Sequence, residues 1–397
     1  MSIRVVIEKY DHLARGIGHL NGKVVFVKGA LKDEDVLANV IKENKKYIEA
    51  ETIRVIKKAD ERIDVLCPFF EKCGGCSFWH ADYDEEVRIK LENFKDILCR
   101  YGNVNYNPKV VIGNKSYGYR NKITLKINNY EWGYYNDETH DFVSVNYCLI
   151  AKSAINDIIK CKDLFDVKNG SIVIRCNYNN EILIGIETLD EAKTNINELC
   201  KNNKIVGIVL NGKIIYGEDY FIERIDNLFY KVNINSFFQV NTEVLREVFK
   251  IISKKEYKNV VDLYCGVGTL GISLKKEKLY GIEVNKNAVF DAQTNAKMNK
   301  QENNYYMLGD ASLLEKIDDD IDLIIVDPPR SGLNKKTLDV LVSSGAHYII
   351  YMSCNAITLA RDLKEICNFY DINDMYVLDM FPRTKHMECV AVLNRKP

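Results

Sequence analysis

A thiol, Cys354 in Ser353-Cys354-Asn355, and a carboxylate, Glu388 at the end of Phe381-Pro382-Arg383-Thr384-Lys385-His386-Met387-Glu388, lie downstream of a glycine-rich loop. Together they are the minimum equipment for placing a methyl group on carbon 5 of a pyrimidine. Uracil carbon 5 is too weak a nucleophile to attack a sulfonium methyl unaided, so a thiolate must first add to carbon 6 and make carbon 5 enolate-like. A base must then remove the carbon 5 proton. His386 is the other candidate base in the segment. Taken singly, Cys354 reads as a small buried apolar residue and Glu388 as a solvated surface residue. Their weight comes from the pairing.

The elements around the pair support it. From about Asn241 the chain alternates helix and strand, with apolar strands expected at Asn259–Tyr264, Lys278–Glu283, Ile321–Asp327 and His347–Met352, and a last one at Cys389–Leu393. Continuous apolar strands between helical patterns predict a parallel sheet covered on both faces. Cys354 directly follows one such strand, the usual place for functional groups in an open α/β sheet. Ala356–Leu363 reads as a helix start, whose dipole is expected to favour a thiolate.

Asp262-Leu263-Tyr264-Cys265-Gly266-Val267-Gly268-Thr269-Leu270 joins the first of these strands to a helix. Gly266 and Gly268 allow the backbone close to a ligand, although a lone G-x-G also fits NAD binding or tight packing. Glu283 at the end of the next strand is placed to accept both hydroxyls of a ribose. Asp310, after Gly309, is a candidate for an adenine amine, and Asp262 or Asp310 could equally cap a helix. Asp327-Pro328-Pro329-Arg330 ends a further strand at the same edge. Where amino-group methyltransferases place an aromatic, this chain has Arg330, which disfavours adenine-N6 chemistry.

The first segment reads as short strands with glycine turns, at Arg4–Glu8, Lys23–Val27, Asp35–Val40 and Ala50–Ile56. They predict a small five-stranded OB-like barrel. Cys67, Cys73 and Cys76 follow, then a charged helix from about Tyr83 to Arg100 and a mixed region with strands at Lys122–Ile127, Ile172–Cys176 and Ile182–Glu187. With Cys148 as a fourth ligand, four thiolates fit a tetrahedral zinc or an iron-sulfur cluster. The expected domains are 1–58, 59–231 and 232–397.

Composition sets the limits. At 397 residues, two or three domains are expected. No apolar run spans a bilayer and the start lacks a secretory layout, so the expected address is the cytoplasm without a membrane partner. Twelve cysteines in a reducing compartment point to thiol chemistry or metal ligation. The net charge of −1 does not mark a generic nucleic-acid binder. Residues 1–60 hold 12 Lys/Arg against 9 Asp/Glu, so any RNA contact relies on a local patch.

These motifs, with Tyr119-Arg120-Asn121-Lys122 and Phe237-Phe238-Gln239-Val240-Asn241, resemble in order the RNA uracil-5-methyltransferase family, specifically bacterial enzymes of large-subunit ribosomal RNA. The resemblance runs almost end to end. It implies a Rossmann-like class I methyltransferase domain, an N-terminal TRAM β-barrel and a mixed α+β central domain. It further implies S-adenosylmethionine as methyl donor, with Gln239, Tyr264, Glu283 and Asp327 lining the cofactor or base pocket, and Cys354 and Glu388 as nucleophile and base. By the same resemblance Cys67, Cys73, Cys76 and Cys148 hold a [4Fe-4S] cluster. The implied partner is RNA, 23S ribosomal RNA above transfer RNA because of the TRAM-like segment and cluster, with no DNA and a monomeric enzyme. Ala356 replaces a common proline, and Cys389 is an extra thiol. The rival readings are an RNA cytosine-5-methyltransferase and a non-catalytic RNA-binding assembly factor.

Overall fold

The computed structural model describes residues 1–136 and 139–397. The described residues fold around three large sheets, with two further two-stranded ones. The first runs in the order Ser2–Val6, Asp35–Glu43, Tyr47–Lys57, Lys23–Lys28, Gly16–Leu20, Lys9–Tyr10. Alternate residues Val25, Val27, Val36, Ala38, Ile48 and Ala50 fill its interior, the period-2 pattern of half-buried strands. It has six strands rather than the five expected, because Lys9–Tyr10 is two residues long and leaves no periodic trace.

The second sheet has seven strands in the order Phe142–Ser144, Glu131–Tyr135, Lys122–Asn128, Asn169–Cys176, Ile182–Glu187, Ile205–Leu210, Lys213–Gly217. All its pairs are antiparallel except Ile182–Glu187 with Ile205–Leu210. Helix Ser153–Lys160 lays Ile155, Ile158 and Ile159 on it.

The third sheet carries the chemistry. Its order is Asn304–Leu308, Lys276–Glu283, Tyr257–Leu263, Leu323–Val326, Tyr348–Ser353, Glu388–Arg395, Tyr370–Leu378, Lys109–Val111. The first five strands are mutually parallel, and Glu388–Arg395 runs antiparallel to both its neighbours. Strand order reverses at Tyr257–Leu263, so the crevice beyond its carboxyl end is the natural ligand position of a doubly wound sheet. Among the described residues no helix is long and apolar enough to cross a membrane.

One boundary differs from expectation. Helix Tyr83–Ile97 is capped by Asp82, whose carboxylate accepts from Glu85 N at 2.7 Å, with three acids in its first turn to complement the dipole. Its apolar stripe does not join the central sheet. Phe94 and Ile97 pack with Val261, Ile324, Tyr351 and Leu363 in the core beneath the third sheet, and Lys109–Val111 pairs with Tyr370–Leu378. The expected 59–231 segment is therefore divided, with 83–111 completing the C-terminal core. Chain adjacency suggested otherwise, but this excursion shares an apolar face of the third sheet with helices Lys335–Ser343 and Ala356–Ile366 and pairs with the sheet's edge. Phe94→Ala is expected to lower unfolding free energy by about 3–5 kcal/mol in urea titration, and a 232–397 fragment to show no cooperative transition. A cooperative transition in that fragment would refute the shared core.

Candidate active site

Every candidate group of the third sheet sits at one edge. Parallel strands end at Leu263, Glu283, Leu308, Val326 and Ser353, and the antiparallel Glu388–Arg395 begins there. Its register pairs Ser353 with Cys389 on one side and Leu378 with Glu388 on the other. One step beyond the Ser353–Cys389 pair, Cys354 and Glu388 stand abreast. Cys354 is half-buried and Glu388 is 4% exposed. Glu388 Oε2 is buried without a hydrogen-bond partner, an orphaned acceptor of the kind that native folds keep at functional positions.

The electrostatics there are lopsided. Burial raises Glu388 well above the usual carboxylate range, and the nearby Asp327 raises it further, against the pull of Arg330. Asp327, just past Val326, is likewise raised by burial. Burial lifts the Cys354 thiol, and Glu388 and Asp327 add to the lift while the charge and hydrogen bond of Arg330 oppose it. The expected dipole of helix Ala356–Ile366, which Asn355 caps by accepting from Ile357 N at 3.1 Å, acts against that lift. His386 is held at about 4 by partial burial and the cations Arg330 and Lys385, which leaves it neutral.

Arg330 is the functional residue the sequence reading undervalued. Its backbone carbonyl accepts from Asn355 Nδ2 at 2.9 Å, which ties the turn after Asp327 to the turn holding Cys354. The exposed guanidinium is left to reach the thiol.

The cofactor candidates divide into those that line space and those that build it. Gly266 and Glu283 line a cavity of about 610 Å³ together with Ser236, Phe237, Asn285 and Phe290. Glu283 accepts from Gly266 N at 3.1 Å and Asn285 N at 2.9 Å, and a carboxylate has acceptor sites to spare for two hydroxyls. Tyr264 takes a left-handed φ of 62°, costing about 1–3 kcal/mol and typical of functional turns. Gly268, at φ 80°, has no room for a Cβ, which would lie 2.8 Å from the Tyr306 hydroxyl. Asp262 is buried, accepts from Gly271 N at 2.9 Å and is raised to about 7 by burial, so it holds the helix after the loop. Asp310 is exposed and caps the turn Ala311–Lys316 through Ser312. Its side chain does not line the cavity. Gln239 is buried, and its carbonyl accepts from Asn121 Nδ2 at 3.1 Å.

The four candidate ligand cysteines of segment 59–231 face a common space. Cys67, Cys73, Cys76 and Cys148 line one cavity of about 420 Å³, shared with Trp79, Arg120, Lys122, Phe237 and Arg330. Burial raises all four thiols, and mutual repulsion adds to it for Cys67, Cys76 and Cys148. Asn156 pins Cys148 by accepting from its N–H at 2.8 Å and donating to its carbonyl at 3.1 Å. The buried indole N–H of Trp79 faces Cys76 and pulls its thiol pKa down against the effect of burial. Among the described residues no three His, Cys, Asp or Glu are gathered closely enough for a single metal ion.

The charge balance around Cys354 is open to direct test. Removing the one cation that lowers its pKa, by Arg330→Gln, should raise that pKa further and shift the alkylation limb to higher pH. Iodoacetamide labelling read by peptide mass spectrometry, with the exposed Cys99 as internal reference, is expected to show this. An unchanged or acid-shifted limb would contradict the assigned contact.

Comparison with known proteins agrees with this layout. Residues 2–53 match the TRAM domain, residues 238–348 the methyltransferase small domain and residues 314–396 the tRNA (uracil-5-)-methyltransferase family. An RNA methyltransferase of Aquifex aeolicus, itself uncharacterized, is 32% identical over 99% of both chains. One from Clostridium tetani is 31% identical over 95% of this chain and 93% of its own. The tRNA (uracil-54, C5)-methyltransferase of Pyrococcus abyssi, solved with S-adenosyl-L-homocysteine, superposes with a TM-score of 0.79 at 24% identity, covering 98% of this chain and all of that one. The sheet order with its reversed final strand is that of a class I methyltransferase, and the chain belongs to the RNA (uracil-5-)-methyltransferase family with an N-terminal TRAM domain.

Proposed function

We propose that this enzyme methylates carbon 5 of a uridine in RNA through a covalent bond between Cys354 and carbon 6. The observation that carries the reading is the register that sets Cys354 beside the buried, unpartnered Glu388 at the ligand edge of the sheet. S-adenosylmethionine supplies an electrophilic methyl. Glu283 and the Gly266 turn suit its ribose and backbone, and Asp327 suits the neighbourhood of the reacting groups.

Cys354, as thiolate, adds to carbon 6, and Arg330 favours that ionised form. After methylation Glu388 takes the carbon 5 proton, and the carbon–sulfur bond breaks as the ring double bond re-forms. Burial and Asp327 raise Glu388, which makes its carboxylate a stronger base than an ordinary one. Cys67, Cys73, Cys76 and Cys148 would hold a [4Fe-4S] cluster, whose four irons are then all protein-ligated and structural.

The RNA class is large-subunit ribosomal RNA on the sequence resemblance. A second target has its own support, since the Pyrococcus abyssi tRNA enzyme matches along the full chain, TRAM-containing segment included. Nucleoside analysis of ribosomal and transfer RNA from cells with and without the protein separates the two, and loss of 5-methylcytidine instead would identify a cytosine enzyme. Glu388→Gln is expected to lower turnover roughly 10²–10⁴-fold while a denaturant-stable protein–RNA adduct accumulates. Near-normal turnover by that variant would remove Glu388 from the mechanism.

A further inference from the structure

Glu388 is delivered by the loop 379–387, which joins strand Tyr370–Leu378 to strand Glu388–Arg395. A loop of this length is ordinarily mobile, yet this one is clamped along its course by groups from far earlier in the chain. Lys90, 1% exposed on helix Tyr83–Ile97, donates to Asp379 Oδ1 at 2.7 Å, to Glu86 Oε1 at 2.7 Å and to the Phe381 carbonyl at 3.2 Å. Tyr83 donates to the other Asp379 oxygen at 2.7 Å. Glu86 accepts from Arg383 N at 2.7 Å, which fixes Arg383 in a left-handed conformation at φ 68°.

The Arg383 side chain extends the clamp. Its buried guanidinium donates to the Ala81 carbonyl at 3.0 Å and lies over the rings of Trp79 and Tyr83. The Arg383 carbonyl accepts from Ser77 N at 2.7 Å, directly after Cys76. Burying this many charges in one place is costly unless each is paired and hydrogen-bonded, and apolar packing would hold the two segments together at lower cost. What directed hydrogen bonds add is a fixed loop path.

We propose that Lys90 and Arg383 are positioning residues for the base: through Asp379, Glu86 and the loop backbone they hold Glu388 at the carbon 5 proton. The inference rests on the reading of Glu388 as base. The step concerned is the last one, in which the carbon 5–hydrogen electrons form the ring double bond, the carbon 6–sulfur bond breaks and the thiolate leaves, with the proton on Glu388. Cys354 and Arg330 lie on other turns, so addition to carbon 6 does not depend on this clamp.

The test measures adduct formation and adduct breakdown separately, with uridine-containing RNA and S-adenosylmethionine, in the full-length Lys90→Met, Tyr83→Phe and Glu388→Gln proteins. Lys90→Met is expected to form adduct at the wild-type rate and release it roughly 10- to 100-fold more slowly, the scale of a misplaced catalytic group, with KM for S-adenosylmethionine unchanged. Tyr83→Phe, the gentler change should Lys90→Met fail to fold, is expected to slow release several-fold. Wild-type release in either folded variant, or formation and release slowed equally, would overturn the proposal. If Glu388→Gln builds up no adduct, the base assignment itself fails, and that outcome is read independently of the other two.

Discussion

The antiparallel pairing of Glu388–Arg395 with Tyr348–Ser353 is the constraint on which the site depends. Side chains alternate faces along a strand, so a one-residue slip would turn Glu388 away from Cys354 and exchange Cys389, Ala391 and Leu393, which fill one core, with Val390 and Val392, which pack into the core on the opposite face. The pairing and the packing on both faces together set the thiol and the carboxyl side by side.

That adjacency has an electrostatic consequence. Burial disfavours both Glu388 and Asp327 as anions, Asp327 raises Glu388 further, and both disfavour the Cys354 thiolate. Burial and these carboxyls thus disfavour the anionic forms at this edge, with Arg330 as a cation favouring ionisation. A positively charged methyl donor would relieve the same repulsion, so the arrangement favours both reacting groups in their anionic forms once the donor is bound.

Much of this was legible in the residues. The parallel strands were read as continuous apolar runs, and Cys354 at a strand end and Glu283 at the next strand's end fell where the doubly wound fold places ligand groups. Two kinds of feature were not legible. Tyr83–Ile97 has so many charges that it reads as a solvated helix, and only the fold reveals that Glu86 and Lys90 are buried against Asp379, nearly three hundred positions away. The packing of 83–111 into the C-terminal core was hidden for the same reason, since a segment's spatial partner is set by which sheet needs covering. Asp310, for its part, caps a turn, the alternative its position also offered. Local capping and ligand binding favour the same residue type at the same loop position.

The central claim is a bond between Cys354 and a pyrimidine ring, and substrate containing 5-fluorouridine tests it most directly. Fluorine at carbon 5 cannot be removed as a proton, so methylation should strand the adduct, and tryptic mass spectrometry should find the Cys354 peptide carrying one nucleotide plus one methyl. Methylated or unreacted RNA with no such peptide, or a crosslink at another cysteine, would contradict the account.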